Sequence, residues 1–106
     1  MDAHRLPVFT SATISLTGIA DLDTRGQLHS LTKASGGQFV KDLGSGSKVT
    51  HIVCGEERGE DIDERGWSKK MQFAERYNAT HSKKIQLVWE EWFWDCLEFG
   101  GMHVNI

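Results

Sequence analysis

The chain has 106 residues, one domain's worth, with 39% hydrophobic and 25% charged residues, as in ordinary globular folds. Its formal net charge of −3 argues against broad phosphate neutralisation, the means by which basic domains grip nucleic acid. Two distant cysteines, Cys54 and Cys96, and five scattered histidines form neither a disulfide framework nor a metal-ligand spacing, which fits a reducing compartment. No apolar run approaches the roughly 20 residues that a membrane span needs. The opening Met1-Asp2-Ala3-His4-Arg5 lacks the apolar core of a signal peptide, so an intracellular chain with no membrane partner is expected. The end at Val104-Asn105-Ile106 reads as a piece of something longer.

In chain order, residues 12–16 alternate apolar and polar, which predicts a strand, and Thr17-Gly18 ends it. Asp21 and Asp23 then place carboxylates where a helix N-terminus favours them. A helix is predicted over residues 24–35, with Leu28, Leu31 and Ala34 on one face and Gly36-Gly37 as its stop. Residues 38–40 form a short second strand. A turn-rich stretch follows, and the β-branched residues 49–54 form a third strand. Residues 55–67 carry six carboxylates (Glu56, Glu57, Glu60, Asp61, Asp63, Glu64) against Arg58 and Arg65, and read as a solvated acidic loop.

Ser68 suits the N-cap of a second helix with Met71, Ala74 and Tyr77 on one face. A fourth strand spans residues 85–88, and a closing helix runs from about residue 89 to 99. On it Trp92, Phe93, Cys96 and Leu97 make an inward stripe, whereas Trp94 shares a face with Glu91 and Glu98. The order β-α-β-β-α-β-α predicts an α/β fold, a mostly parallel sheet with helices on both faces.

Six pieces in order now stand together: Thr17-Gly18, Gly36-Gly37, Asp42-Leu43, Thr50-His51-Ile52-Val53, Lys70-Met71 with Ala74, and Trp92 with Cys96. Their order and spacing resemble the BRCT domain over residues 8–101, leaving 1–7 and 102–106 as flanking segments. The resemblance is greatest to repeats of the multi-BRCT checkpoint and replication scaffolds of the Rad-four or Cut-five type. It implies a four-stranded parallel sheet with the first and third helices on one face and the second on the other. It also implies that Gly36, Gly37, Trp92 and Cys96 are structural, with Trp92 between the last helix and the sheet. In function it implies a nuclear protein-interaction module of DNA-damage response and checkpoint control, without enzyme activity or cofactor. The expected partner is a phosphoserine or phosphothreonine motif in another protein, with adjacent BRCT domains of the same chain as further partners.

A phosphate site also follows from chemistry. Strand C-termini and helix N-termini gather at one edge of a parallel sheet, where unpaired N–H groups and helix dipoles favour an anion. Thr17 offers a hydroxyl there, Gly18 an unobstructed backbone N–H, and Lys70 a full charge in the first helical turn. By the resemblance these three are the phosphate-binding set, with Arg25 as an additional contact and Lys69 as a supporting or rival cation. Each also has a structural role open to it: Thr17 can cap local backbone, and Arg25 can pair with Asp21 or Asp23. The acidic loop would complement ligands with basic flanks. Trp94 is either an interface residue or covered by residues 102–106.

Other functions fare less well. Neither GxGxxG nor GxxxxGK[ST] occurs, no catalytic triad can be nominated from spacing, and a phospho-receiver would need an aspartate where Cys54-Gly55 stands. Two alternatives stay open, namely phosphate-independent surface pairing with another domain and binding of a DNA 5′-phosphate end. The acidic composition argues against the second.

Overall fold

A computed structural model describes residues 8–43, 48–57 and 62–99, with Phe99 by its backbone alone. Seven elements follow the predicted order: β1 (Thr13–Thr17), α1 (Leu22–Ala34), β2 (Gln38–Phe39), β3 (His51–Cys54), α2 (Lys69–Thr80), β4 (Gln86–Trp89) and α3 (Glu90–Phe99). All strands are parallel, in the order β2-β1-β3-β4. This is the α/β architecture expected from the sequence.

The two faces of the sheet follow from strand alternation. Ile14 and Leu16 of β1 and Val53 of β3 pack with Leu28 of α1 and with Trp92, Phe93 and Cys96 of α3. Ile52 and Cys54 of β3 face the other way, onto Met71 and Ala74 of α2. So α1 and α3 share one face and α2 takes the other. Trp92 is only 5% exposed and stacks on His51 of β3 at 4.8 Å, which puts it between the last helix and the sheet. Cys96 is fully buried, and its thiol is pushed up to about 11 by burial and then by the Asp95 charge, so it is a packing group rather than a nucleophile.

Local chemistry fixes the element ends. The Asp21 carboxylate accepts from the Thr24 N–H at 2.9 Å and starts α1, and Gly36 ends it at φ 87°, in the left-handed region. A Cβ on Gly37 would meet the Phe9 Cβ at 2.8 Å, so the pair Gly36-Gly37 serves both the turn and the packing. Ser68 caps α2 through the Met71 N–H. Asn78 near the end of α2 then clamps the approach to β4, accepting from the Ile85 N–H at 2.7 Å and donating to the Ile85 carbonyl at 2.9 Å.

One expectation needs correction, and two others gain detail. Ala34 lies on the exposed side of α1, and Thr32 is buried in its place, its hydroxyl satisfied by the Leu28 carbonyl at 2.7 Å. The second half of the acidic loop is structured: Arg65 pairs with Asp63 and with Glu75 of α2, both at 2.7 Å, and lies 4.0 Å over the Trp67 ring. Asp63 also accepts from the Arg65 and Trp67 N–H groups, so its charge is engaged locally. Glu60 and Asp61 lie outside the described residues. Trp94, placed by sequence on a polar face, is half-buried against Phe93, and its indole N–H donates to Glu90 at 2.9 Å.

Truncating Trp92 to alanine should cost about 3–5 kcal/mol in urea unfolding. Trp92→Phe should cost clearly less, because the indole N–H it removes is buried without an acceptor among the described residues. Burial also lowers the pKa of His51, which is 7% exposed. The unfolded chain therefore binds the extra proton more readily than the folded one, and stability falls as pH drops below the ordinary value of 6.5. The slope should reach at most about 1.4 kcal/mol per pH unit. Urea midpoints at successive pH values between neutrality and mild acid should show this decline, and His51→Gln should flatten it.

Candidate functional site

The C-terminal end of β1 is where main chain from two strands meets side chains from two helices. Gly18 turns the chain out of β1 at φ 75°, a conformation glycine adopts without a Cβ penalty. Its carbonyl accepts from the Glu57 N–H at 2.9 Å, and the Thr17 carbonyl accepts from the Gly55 N–H at 2.8 Å. The β1 and β3 exits are thereby laced together.

Thr17 and Lys70 approach this turn from the α2 side. The Thr17 hydroxyl donates to Ser68 Oγ at 2.7 Å, and the same oxygen accepts from the Met71 N–H, so the N-cap of α2 is tied to the end of β1. Lys70 Nζ donates to Ser15 Oγ at 2.8 Å, to the Leu16 carbonyl at 2.6 Å and to the Lys41 carbonyl at 2.7 Å. All three ammonium hydrogens thus have acceptors within the protein. Burial is the main cause lowering the Lys70 pKa; the Arg25 charge adds to it and Asp42 opposes it.

Arg25 approaches from α1. Its guanidinium donates to the Ile19 carbonyl at 3.1 Å, not to Asp21, whose carboxylate takes the Thr24 N–H and hydroxyl. Arg25 and Lys41 also bound a hollow of about 330 Å³ with Gly26, His29 and Phe39. The four residues nominated from sequence therefore converge: the carbonyls of residues 16 and 19, on either side of Thr17-Gly18, each hold a cation from a different helix. Lys69 is exposed on the first turn of α2.

Sequence reasoning missed Ser15 and saw Ser68 only as a cap. Both are buried hydroxyls that place the site's polar groups. A serine in an apolar strand, on the face opposite Ile14 and Leu16, is the one signal that could have marked Ser15. Among the described residues no group of three or more His, Cys, Asp or Glu could hold a metal ion, and no helix is long and apolar enough to cross a membrane.

The family model for the BRCA1 C Terminus (BRCT) domain matches residues 4–97. The chain belongs to the BRCT family. Solved structures with the same fold include Rad4 BRCT1,2 in complex with a Crb2 phosphopeptide, at TM-score 0.65 and 22% identity over 92% of this chain and 43% of the other. Yeast Rtt107 and Mms22 gives TM-score 0.67 and 16% identity over 92% of this chain and 19% of the other. The BRCT domain from human DNA repair protein REV1 gives TM-score 0.54 and 17% identity, covering 96% and 86%. This BRCT domain spans less than half the length of the first two chains, and at such identities the likeness speaks for the fold.

The turn at the β1 exit depends on the closeness of Gly55. A Cβ there would lie 2.3 Å from the Gly18 carbonyl oxygen and 2.7 Å from Ile19 Cγ1. Gly55→Ala should therefore destabilise by about 1–3 kcal/mol or more through main-chain displacement. Gly26→Ala, on α1 with nothing within 4 Å, should instead stabilise by about 0.5–1 kcal/mol. Thermal unfolding of both variants beside the parent checks the contrast.

Proposed function

We propose that this domain reads a phosphoserine or phosphothreonine motif in a partner protein, as one module of a nuclear DNA-damage and replication checkpoint scaffold. The observation that carries the reading is the convergence of Lys70 and Arg25 on the two carbonyls flanking Thr17-Gly18. In a domain of net charge −3, two cations held at one strand end make a local positive site. The phosphate takes the Thr17 hydroxyl, the Gly18 N–H, Lys70 and the Arg25 fork, with Lys69 as outer support. It displaces the Lys41 carbonyl from Lys70, the most exposed of that amine's three bonds. Complex formation by the similarly folded Rad4 BRCT1,2 with a phosphopeptide supports the reading. The domain is taken as residues 8–101, and Trp94 as facing adjacent BRCT domains of the same chain.

A specific observation favours a second reading, phosphate-independent pairing with another domain: Lys70 is already satisfied internally, as a purely structural lysine would be. The test is a titration with a degenerate phosphoserine and phosphothreonine peptide library and its unphosphorylated twin. Binding should require the phosphate. Lys70→Ala and Arg25→Ala should each remove about 1.5–3 kcal/mol, the contribution of one charged hydrogen bond. Equal binding of both libraries, or none, would favour surface pairing.

A further inference from the structure

The hollow of about 330 Å³ that Arg25 and Lys41 bound lies between α1 and the edge strand β2. His29 of α1 and Phe39, the last residue of β2, line it as a stacked pair, ring centroids 4.3 Å apart and 19° from parallel. Gly26 supplies the opening. Glycine is a poor residue for a helix interior, and packing does not demand it here, because a Cβ on Gly26 would meet nothing within 4 Å. A local rule broken without a packing reason marks a position kept for function.

The charge at this hollow selects the occupant. Arg25 gives one N–H to the Ile19 carbonyl, and its planar fork has further donors. Lys41 offers its main-chain carbonyl to Lys70, not its ammonium, and neither side chain pairs with a carboxylate among the described residues. Asp42, the next residue, acts on Lys70. Cations beside two stacked rings suit an acidic side chain, its stem on the rings and its charged end on the guanidinium and ammonium.

The hollow is also continuous with the Thr17-Gly18 turn, because Arg25 reaches both and the Lys41 carbonyl touches Lys70 at 2.7 Å. An extended segment advances about 3.3 Å per residue, so one that places an anion at Lys70 brings its neighbours over α1 and β2. We propose that this hollow holds a second anionic side chain of the same phosphorylated segment, between Arg25 and Lys41 and against Phe39 and His29. The proposal rests on phosphate being read at Thr17-Gly18. An aspartate or glutamate and a second phosphorylated residue share the required chemistry.

The test uses the full chain and fluorescein-labelled peptide pools around a fixed phosphoserine or phosphothreonine. Each flanking position is set in turn to glutamate, phosphoserine, alanine or lysine, and binding is read by anisotropy. At one flanking position the glutamate pool should bind about three- to tenfold tighter than the alanine pool, as two partly exposed ion pairs provide. Phosphoserine there should bind at least as well, lysine should bind worst, and salt should shrink the ratio. Gly26→Gln keeps a helix-favouring residue on α1 and projects a side chain into the hollow, so the glutamate-to-alanine ratio should fall to about one. Lys41→Glu should reverse the preference toward lysine. Phosphate-dependent binding with no acidic preference, or with one that survives both substitutions, would overturn this proposal and leave the phosphate reading standing. No phosphate-dependent binding in any pool would overturn both. A short 5′-phosphorylated DNA duplex that competes as well as the best peptide, and loses that ability in Lys41→Glu, would overturn it in favour of successive DNA phosphates.

Discussion

Gly55 stands so close to Gly18 that no side chain fits between them, and that approach sets the geometry of the whole C-terminal edge of the sheet. It lets the Thr17 carbonyl take the Gly55 N–H and the Gly18 carbonyl take the Glu57 N–H, so β1 and β3 leave the sheet side by side. A wider separation would release the β1 turn. The Ile19 carbonyl would then move away from Arg25, and the hollow beside Trp89 would lose one wall. Glycine has no side chain with which to compensate, so this contact depends wholly on the main chain being where it is. That makes it a constraint on both surfaces at once.

Lys70 shows how a charge can be held inside an acidic domain. Removing an ammonium from water is costly, and here the cost is met by three oxygen acceptors, two of them main-chain carbonyls whose dipoles point at the cation. The residual penalty appears as the lowered pKa, with Arg25 pressing in the same direction. A cation that presses on the Lys70 proton makes an anion beside Lys70 electrostatically favourable. The structural lysine and the phosphate-reading lysine are therefore not exclusive descriptions. The same carbonyl cage that satisfies Lys70 also fixes where its ammonium group stands.

The sequence made the element order, the two faces of the sheet and most of the buried set legible, because strand alternation and helical spacing act over neighbouring residues. Asp21, Ser68 and Gly36 announce helix ends by local chemistry in the same way. What stayed hidden depends on which distant segments the topology joins. Lys70 meets Ser15 across 55 positions, and no local pattern records that hydrogen bond. The Arg65 ion pairs likewise join the loop to Glu75 across ten positions, so a stretch that reads as solvated acid is partly a folded turn. By helical spacing Trp89 reads as the first residue of the closing helix. Register instead pairs it with Cys54 at the end of an edge strand, turning an apparent helix residue into the most exposed aromatic of the domain. Trp94 is half-buried, its N–H taken by Glu90 one turn earlier.

Net charge is a poor guide to what such a domain touches, because its charges are unevenly placed. The β1 exit divides them. On the side of α2 and the first turns of α1 lie Lys70, Arg25 and Lys41, with Asp42 close enough to act on Lys70; among the described residues Glu56, Glu57, Glu90 and Glu91 gather on the side of β4 and α3. The overall −3 averages over a locally positive region at Lys70, Arg25 and Lys41 and a locally negative one at Glu56, Glu57, Glu90 and Glu91. With a Debye length of about 8 Å at physiological salt, each surface presents its own field to anything that comes within contact range.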